Sequence, residues 1–251
     1  MPTPKLLLLI AVFFLTSVIS VVTGSTSLIT VPVMIQFGIE PHAAIATNMM
    51  ALVFMSLGGS LPFLRKGILH RRHLPTSIVI TVIGSALGAL LLLEVPIRAL
   101  QLIIALAMIV VAVFSIVKRD GAEREIPVSR KREVAGYGAT FLLAVYGGFF
   151  SGGYVTLLTA AFVFLFGMTL LQSVATTKII NVFSSAVATA VFMSRGVVDY
   201  KLGSILGVTM FVGAMVGGHT AMKLSHVWLR RIFVTAVLVL AIKMLVSFVH
   251  H

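Results

Sequence analysis

One lysine stands inside an apolar run. Lys178 is the sixth residue of the stretch Ser173 to Met193, and Thr176, Thr177 and Asn181 surround it. An ammonium in hydrocarbon is costly and marks a functional site by default. With hydroxyl and amide groups beside it, its chemistry is the capture of a small anion. The competing reading is a lysine whose stem snorkels to the nearer interface. No carboxylate falls within the expected membrane interior to neutralise it, so an anionic substrate is the partner the sequence leaves for it.

Two further clusters point the same way. Gly24-Ser25-Thr26-Ser27 interrupts one apolar region, and Gly152-Gly153-Tyr154-Val155-Thr156 interrupts another. Backbone that leaves the helix inside a membrane must be buried in protein or line a wet cavity. Each interruption also offers free N–H groups at the start of the short helix that follows. Such groups bind anions, helped by the helix dipole. The plainer reading is that the glycines only permit a tight turn or close packing. Thr47 and Asn48 follow the first interruption at the distance at which Thr176 and Thr177 follow the second. The candidate substrate-binding set is therefore Gly24, Ser25, Thr26, Ser27, Thr47, Asn48, Gly153, Tyr154, Thr156, Thr176, Thr177, Lys178 and Asn181.

These positions belong to a duplication. Shifting the chain by 129 positions places Gly24 on Gly153, Gly38 on Gly167, Gly67 on Gly196, Gly84 on Gly213 and Gly88 on Gly217, with no gap. Thr30 meets Thr159, Ala46 meets Ala175, Phe54 meets Phe183 and Ser56 meets Ser185. Duplicated hydrophobic halves with matching interruptions are a frequent plan of secondary transporters. Lys178 falls on Met49, so the halves are not equivalent at that position.

Composition fixes the class. The 251 residues are 59% hydrophobic and 10% charged, and the mean hydropathy is +1.13. This is an all-α polytopic membrane protein, because the apolar runs reach the roughly 20 residues a helical crossing needs and lack the alternation of a barrel. The net charge of +12 does not indicate nucleic acid, because the basic residues sit mostly in short loops between apolar runs. The runs predict about eight transmembrane helices: Leu6–Val22, Ala43–Phe63, Pro75–Leu93, Ile97–Val117, Val134–Phe150, Ser173–Met193, Gly203–Met222 and Trp228–Val249. Leu28–Phe37 and Val155–Phe166 are too short to cross and read as two re-entrant segments. The domains are a first repeat over 1–117, a cytoplasmic linker over 118–133 and a second repeat over 134–251.

With four crossings in each half, the repeats are expected to be parallel and pseudo-symmetric. Thirteen basic residues then lie inside and four outside, which places the linker and both termini in the cytoplasm. The expected location is the plasma membrane, the inner membrane of a cell with two. Lys223, Arg230 and Arg231 fall outside in this scheme, against the rule.

Other groups carry less. His219 suits a proton relay or a packed histidine. His42, His70, His73 and His226 lie in loops without metal-ligand spacing, so no metal is expected. Paired intramembrane carboxylates, cysteine, GxSxG, Walker and dinucleotide fingerprints are absent from the sequence. The expectation is therefore a protein that is not an enzyme and holds no cofactor. Its partners are a small anion and the bilayer, and a homo-oligomer remains open. The rival readings are an ion channel or metal-ion permease, and a membrane-embedded enzyme or scaffold.

Taken together, the chain resembles the sulfite exporter TauE/SafE family, also called the sulfonate-uptake-permease superfamily. The resemblance rests on length, duplication and the glycine–hydroxyl break in each half. It rests also on the Ala46-Thr47-Asn48 and Ala175-Thr176-Thr177-Lys178 stretches. The Arg65-Lys66-Gly67-Ile68 and Ser194-Arg195-Gly196-Val197 turns complete it. It implies a secondary transporter, with export as the first expectation, of small sulfur-containing anions such as sulfite, sulfonates and sulfoacetate. Alternating access between the halves is the implied mechanism.

Overall fold

The computed structural model describes residues 3–65, 67–69, 71–117, 125–220, 235 and 237–242, leaving out the side chains of 21–23, 114–117 and 219–220. The described elements are helices: α1 Thr3–Thr23, α2 Ser27–Gln36, α3 Pro41–Arg65, α4 Leu74–Glu94, α5 Ile97–Val117, α6 Arg130–Phe149, α7 Tyr154–Phe166, α8 Leu170–Ser194 and α9 Tyr200–Thr220. Residues 237–242 are helical as well. Among the described residues, α1, α3, α4, α8 and α9 are long and apolar enough to cross a membrane. The run at 228–249 lies mostly outside the described residues, as do Lys223, Arg230, Arg231 and most of the 118–133 linker.

The surface is apolar and the interior carries the hydroxyls. Leu7, Val79, Leu91, Val110, Leu142 and Val239 are exposed, while Ser17, Ser25, Thr47, Thr81, Ser85 and Thr177 are buried. A soluble protein distributes these residues the other way. Lipid as the outer solvent accounts for it, because apolar side chains facing hydrocarbon cost nothing.

The short helices follow from the breaks. Gly24 and Gly153 hold φ of +76° and +83°. This left-handed conformation is open to glycine and costly for residues with a Cβ. α2 and α7 then run for only 10 and 13 residues, roughly 15 and 20 Å. α7 folds back along α6. The Arg132 guanidinium, at the start of α6, donates to the Phe164 carbonyl near the end of α7. The Ile126 amide donates to the Gly167 carbonyl at 2.9 Å. α2 folds back along α3: Thr26 meets Met55 and Thr30 meets Asn48.

Helix directions come from ordered contacts. α3 and α9 run parallel: Met50 lies against Gly203, Phe54 against Gly207, Gly58 against Phe211 and Pro62 against Gly218. The Asp199 amide, just before α9, donates to Thr47 near the start of α3 at 3.0 Å. α4 and α6 also run parallel, from the Arg72–Glu133 ion pair at 2.8 Å to Gly88 against Val145 and Phe149. α3 and α8 run antiparallel: Asn181 bonds Ser56, while Lys178, earlier on α8, reaches Gly59, later on α3.

This corrects the expectation of parallel repeats. α3 and α8 are equivalent in the sequence duplication, yet they point in opposite directions. The reason is the hairpins. Each long helix before a break pairs with the short helix after it, and the two do not shift the chain to the other end. The first half therefore changes ends three times, through α3, α4 and α5, and an odd number inverts the half that follows. Treating α1 and α6 as independent crossings gave an even number.

One end of the bundle gathers the end of α3 and α7 and the start of α4, α6 and α8. Arg65, Arg71, Arg72, Arg130, Lys131 and Arg132 lie there. We call it the basic end. There His73 is buried, with Tyr137 hydrogen-bonded to its Nδ1 at 2.9 Å and the Phe166 ring against it.

Candidate functional site

The two interruptions meet. The Ser25 and Thr156 hydroxyls lie 2.6 Å apart, and those of Ser27 and Ser151 3.1 Å apart. A Cβ on Gly24 would stand 3.0 Å from the Thr156 hydroxyl, so the left-handed turn is also a close approach. Asn48 locks the first break to α3. Its Nδ2 donates to the Ser27 hydroxyl at 2.9 Å, and its Oδ1 accepts from Thr30 at 2.8 Å. Thr26 donates to the Met55 sulfur at 3.3 Å.

Lys178 reaches this junction. It is 3% exposed, and its Nζ donates to the Ser20 carbonyl at 3.3 Å. The amide of Gly24, at the break, donates to that same carbonyl at 2.8 Å. The ammonium thus sits at the last turn of α1, where helix carbonyls and the dipole favour a cation. Its Cδ packs 3.8 Å from the Cβ position of Gly59. The snorkelling alternative is not met, because the side chain ends inside the bundle. None of the ion pairs among the described residues involves Lys178.

The flanking candidates divide. Asn181 donates from Nδ2 to Ser56 at 2.6 Å, while its Oδ1 and the Thr176 hydroxyl are buried without a hydrogen-bond partner. Thr177 lies 3.0 Å from Thr159, so it ties α8 to α7. Thr47 accepts the Asp199 amide and positions the start of α9, away from the junction. Tyr154 is fully buried, and its hydroxyl has no hydrogen-bond partner among the described residues. A Cβ on Gly153 would lie 2.4 Å from Val111, so α5 also presses on the second break. Among the described residues no group of three His, Cys, Asp or Glu side chains suits a metal ion.

Reading by residue type overlooked Ser20, Ser56 and Ser151. A backbone carbonyl such as that of Ser20 leaves no trace in residue type. Thr30, which orients Asn48, had a signal in its match to Thr159 across the duplication.

The junction of two broken helices with one buried ammonium lies inside the bundle, and the comparisons with known proteins point to a membrane transporter. The family model for the sulfite exporter TauE/SafE matches residues 9–244. The chain belongs to the sulfite exporter TauE/SafE family. Within that family's reach, it is 29% identical over 241 residues to a protein of Sinorhizobium sp described as "Probable membrane transporter protein ORF9", covering 94% of this chain and 91% of the relative. It is 27% identical over 252 residues to the Escherichia coli K12 "Probable membrane transporter protein YfcA", covering 98% and 91%. A Haemophilus influenzae "Probable membrane transporter protein" is 25% identical over 239 residues, covering 95% and 94%. No solved structure matches the chain. Nothing in these TauE/SafE relatives' names points to catalysis.

The Ser25–Thr156 contact gives a measurable expectation. Replacing either residue with alanine leaves its partner hydroxyl without that bond, at a cost of about 1 kcal/mol. Anion affinity should fall partially, by up to about tenfold. The double variant should lose less than the two singles combined. Strict additivity in a double-mutant cycle would show that the two hydroxyls act separately.

Proposed function

We propose that this protein is a secondary transporter that exports small sulfur-containing anions, sulfite or short sulfonates, by alternating access. The observation that carries the reading is the buried Lys178 ammonium at the meeting of two helix breaks, without a carboxylate paired to it among the described residues. A sulfonate or sulfite group offers three oxygens to one ammonium and the neighbouring hydroxyls. Charge-assisted hydrogen bonds of this kind are roughly twice as strong as neutral ones. A metal ion would meet a positive charge at the same place, which weighs against a metal-ion permease. Counterflow of labelled sulfite, thiosulfate and short sulfonates in proteoliposomes tests the reading. Flux of none of them above protein-free vesicles would end it.

The proposed membrane arrangement is two inverted, pseudo-symmetric repeats, each a re-entrant hairpin followed by three crossing helices. The hairpins α1–α2 and α6–α7 come in from opposite faces and meet near the midplane. The basic end is the cytoplasmic face, following the positive-inside rule, and the linker lies there. The N-terminus lies on the other face, because α1 mirrors α6. Under this arrangement Arg71 and Ser194 are on opposite faces. Under parallel repeats they would share one. The sequence contains no cysteine, so Arg71→Cys and Ser194→Cys each provide a single thiol. A membrane-impermeant maleimide should label the first from the cytoplasm and the second from outside. Labelling of both from one side would refute the inversion.

A further inference from the structure

Eight buried side-chain atoms among the described residues lack a hydrogen-bond partner. They belong to Ser77, Thr81, Tyr154, Ser173, Thr176, Asn181, Ser185 and Thr189, and every one lies on α4, α7 or α8. A buried polar atom left unsatisfied costs about 1–3 kcal/mol. Eight on three adjacent helices would be hard to sustain unless water or a solute satisfies them in the working protein.

Their placement is ordered. Ser77, Thr81 and Ser85 are four residues apart on α4 and share one face of the helix. All three are buried. Ser85 lies 2.7 Å from the Ser184 hydroxyl on α8. Ser173, Thr176 and Thr177 occupy the first turns of α8, and Thr177 meets Thr159 on α7. α4 and α8 both start at the basic end. Ser77, Thr81, Ser173 and Thr176 thus lead from that end toward Asn181 and Lys178, while Ser185 and Thr189 lie farther along α8.

The duplication supplies an internal comparison. At the offset of 129, Ser77, Thr81 and Ser85 correspond to Leu206, Met210 and Ala214 on α9, and Ser173 and Ser184 to Ala44 and Met55 on α3. All five counterparts are buried and belong to the main apolar core. These five places are hydroxyl-lined in one half and alkyl-lined in the other, whereas the counterparts of Thr176, Ser185 and Thr189, namely Thr47, Ser56 and Ser60, keep buried hydroxyls that each have a hydrogen-bond partner. Helix packing as such therefore does not require hydroxyls at the five places.

We propose that α4, α7 and α8 line a hydratable route by which the small anion passes between the basic face and Lys178, and that the equivalent α3–α9 region is the dry seal on the opposite side. This rests on the transport reading above and adds to it the side from which the site is loaded. The hydroxyls serve a permeating oxyanion as donors, and none adds a charge that would trap it. α4 and α6 are held in backbone contact through Gly88 and Gly148. The route therefore opens between the α4–α6 pair and α8.

Single thiols test this in the cysteine-free chain, without any substrate added. Ser77→Cys, Thr81→Cys and Ser173→Cys are close in size to the residues they replace. Their pseudo-symmetric controls are Leu206→Cys, Met210→Cys and Ala44→Cys. A thiol in apolar surroundings has a raised pKa, and one unit lowers its thiolate about tenfold. A charged maleimide applied from the basic face should therefore react with the first three at least about tenfold faster than with the controls. From the opposite face none of the first three should react. Equal rates in the two sets, labelling from the opposite face, or no labelling of the first set would each overturn the route. As a second measurement, Thr81→Val should slow anion counterflow several-fold and Thr81→Ser should restore it. Unchanged counterflow in Thr81→Val would count against the route. Labelled route thiols without flux of any tested sulfur anion would instead keep the route and reject the substrate class.

Discussion

Replacing Lys178 with alanine is expected to abolish measurable anion binding while leaving a folded protein. Among the described residues the ammonium is the one buried charge at the junction, and it donates to the Ser20 carbonyl. A hydrogen bond to a charged group is worth about 1.5–3 kcal/mol, so its loss alone weakens binding by roughly 10- to 100-fold. The fold should not suffer. An ammonium without a carboxylate carries an uncompensated desolvation cost, and alanine removes that cost along with the bond. Stability should be equal or higher, which separates this variant from one that merely unfolds. Lys178→Arg keeps the charge but needs more room beside Gly59, so partial binding is expected. Titration calorimetry with sulfite and a short sulfonate, beside thermal unfolding of the same samples, makes the check. Wild-type affinity in Lys178→Ala would place the anion elsewhere. A large loss of stability would make Lys178 a structural cap of α1.

The sequence disclosed the two breaks and the lysine inside the bundle better than it disclosed the relative direction of the halves. Glycine-bounded breaks are local signals, so both interruptions and both short helices were legible at Gly24, Gly38, Gly153 and Gly167. Lys178 stood out because a charge in an apolar run is rare. The relative direction of the halves was not legible, because it depends on whether α1 and α2 form a hairpin or a line. Residue types near Gly24 are compatible with either. The charge distribution held the correction in outline. Lys223, Arg230 and Arg231 opposed the parallel scheme from the outset, but they lie outside the described residues, and inversion puts Lys5, Arg98, Arg195 and Lys201 on the outer face in their stead. Thr47 was misplaced for a different reason. Its position matched Thr176 across the duplication, but its hydroxyl is taken by Asp199 from a segment distant in sequence. Tyr154 directly follows the second break, yet its hydroxyl is buried without a partner among the described residues. Such partners are set by tertiary packing, which one-dimensional spacing does not encode.

The second large effect concerns the backbone contact between α4 and α6. A Cβ on Gly88 would stand 1.9 Å from the Val145 carbonyl oxygen, and one on Gly148 would stand 2.1 Å from that of Ser85. Both obstructions are main-chain atoms within helices, so no side-chain rotation relieves them. Small residues that let helices approach this closely are a main source of adhesion in bilayers, where lipid removes the hydrophobic drive. Alanine in place of glycine gains about 1 kcal/mol of helix propensity. Overpacking costs roughly 1–3 kcal/mol where side chains can yield, and more is expected where they cannot. The clash should win, and Gly88→Ala should lower stability by about 3 kcal/mol, roughly 6–12 °C in melting temperature for a chain of this size. Gly148→Ala should do the same. Gly138→Ala, also on α6, is the control: a Cβ there meets nothing within 4 Å, so it should be neutral or slightly stabilising. Melting curves by fluorescence-detected size exclusion compare the three. If Gly88→Ala melts with the wild type, α4 and α6 are not in backbone contact. The α4–α6 pair then ceases to be a rigid body that could part from α8 to admit the anion.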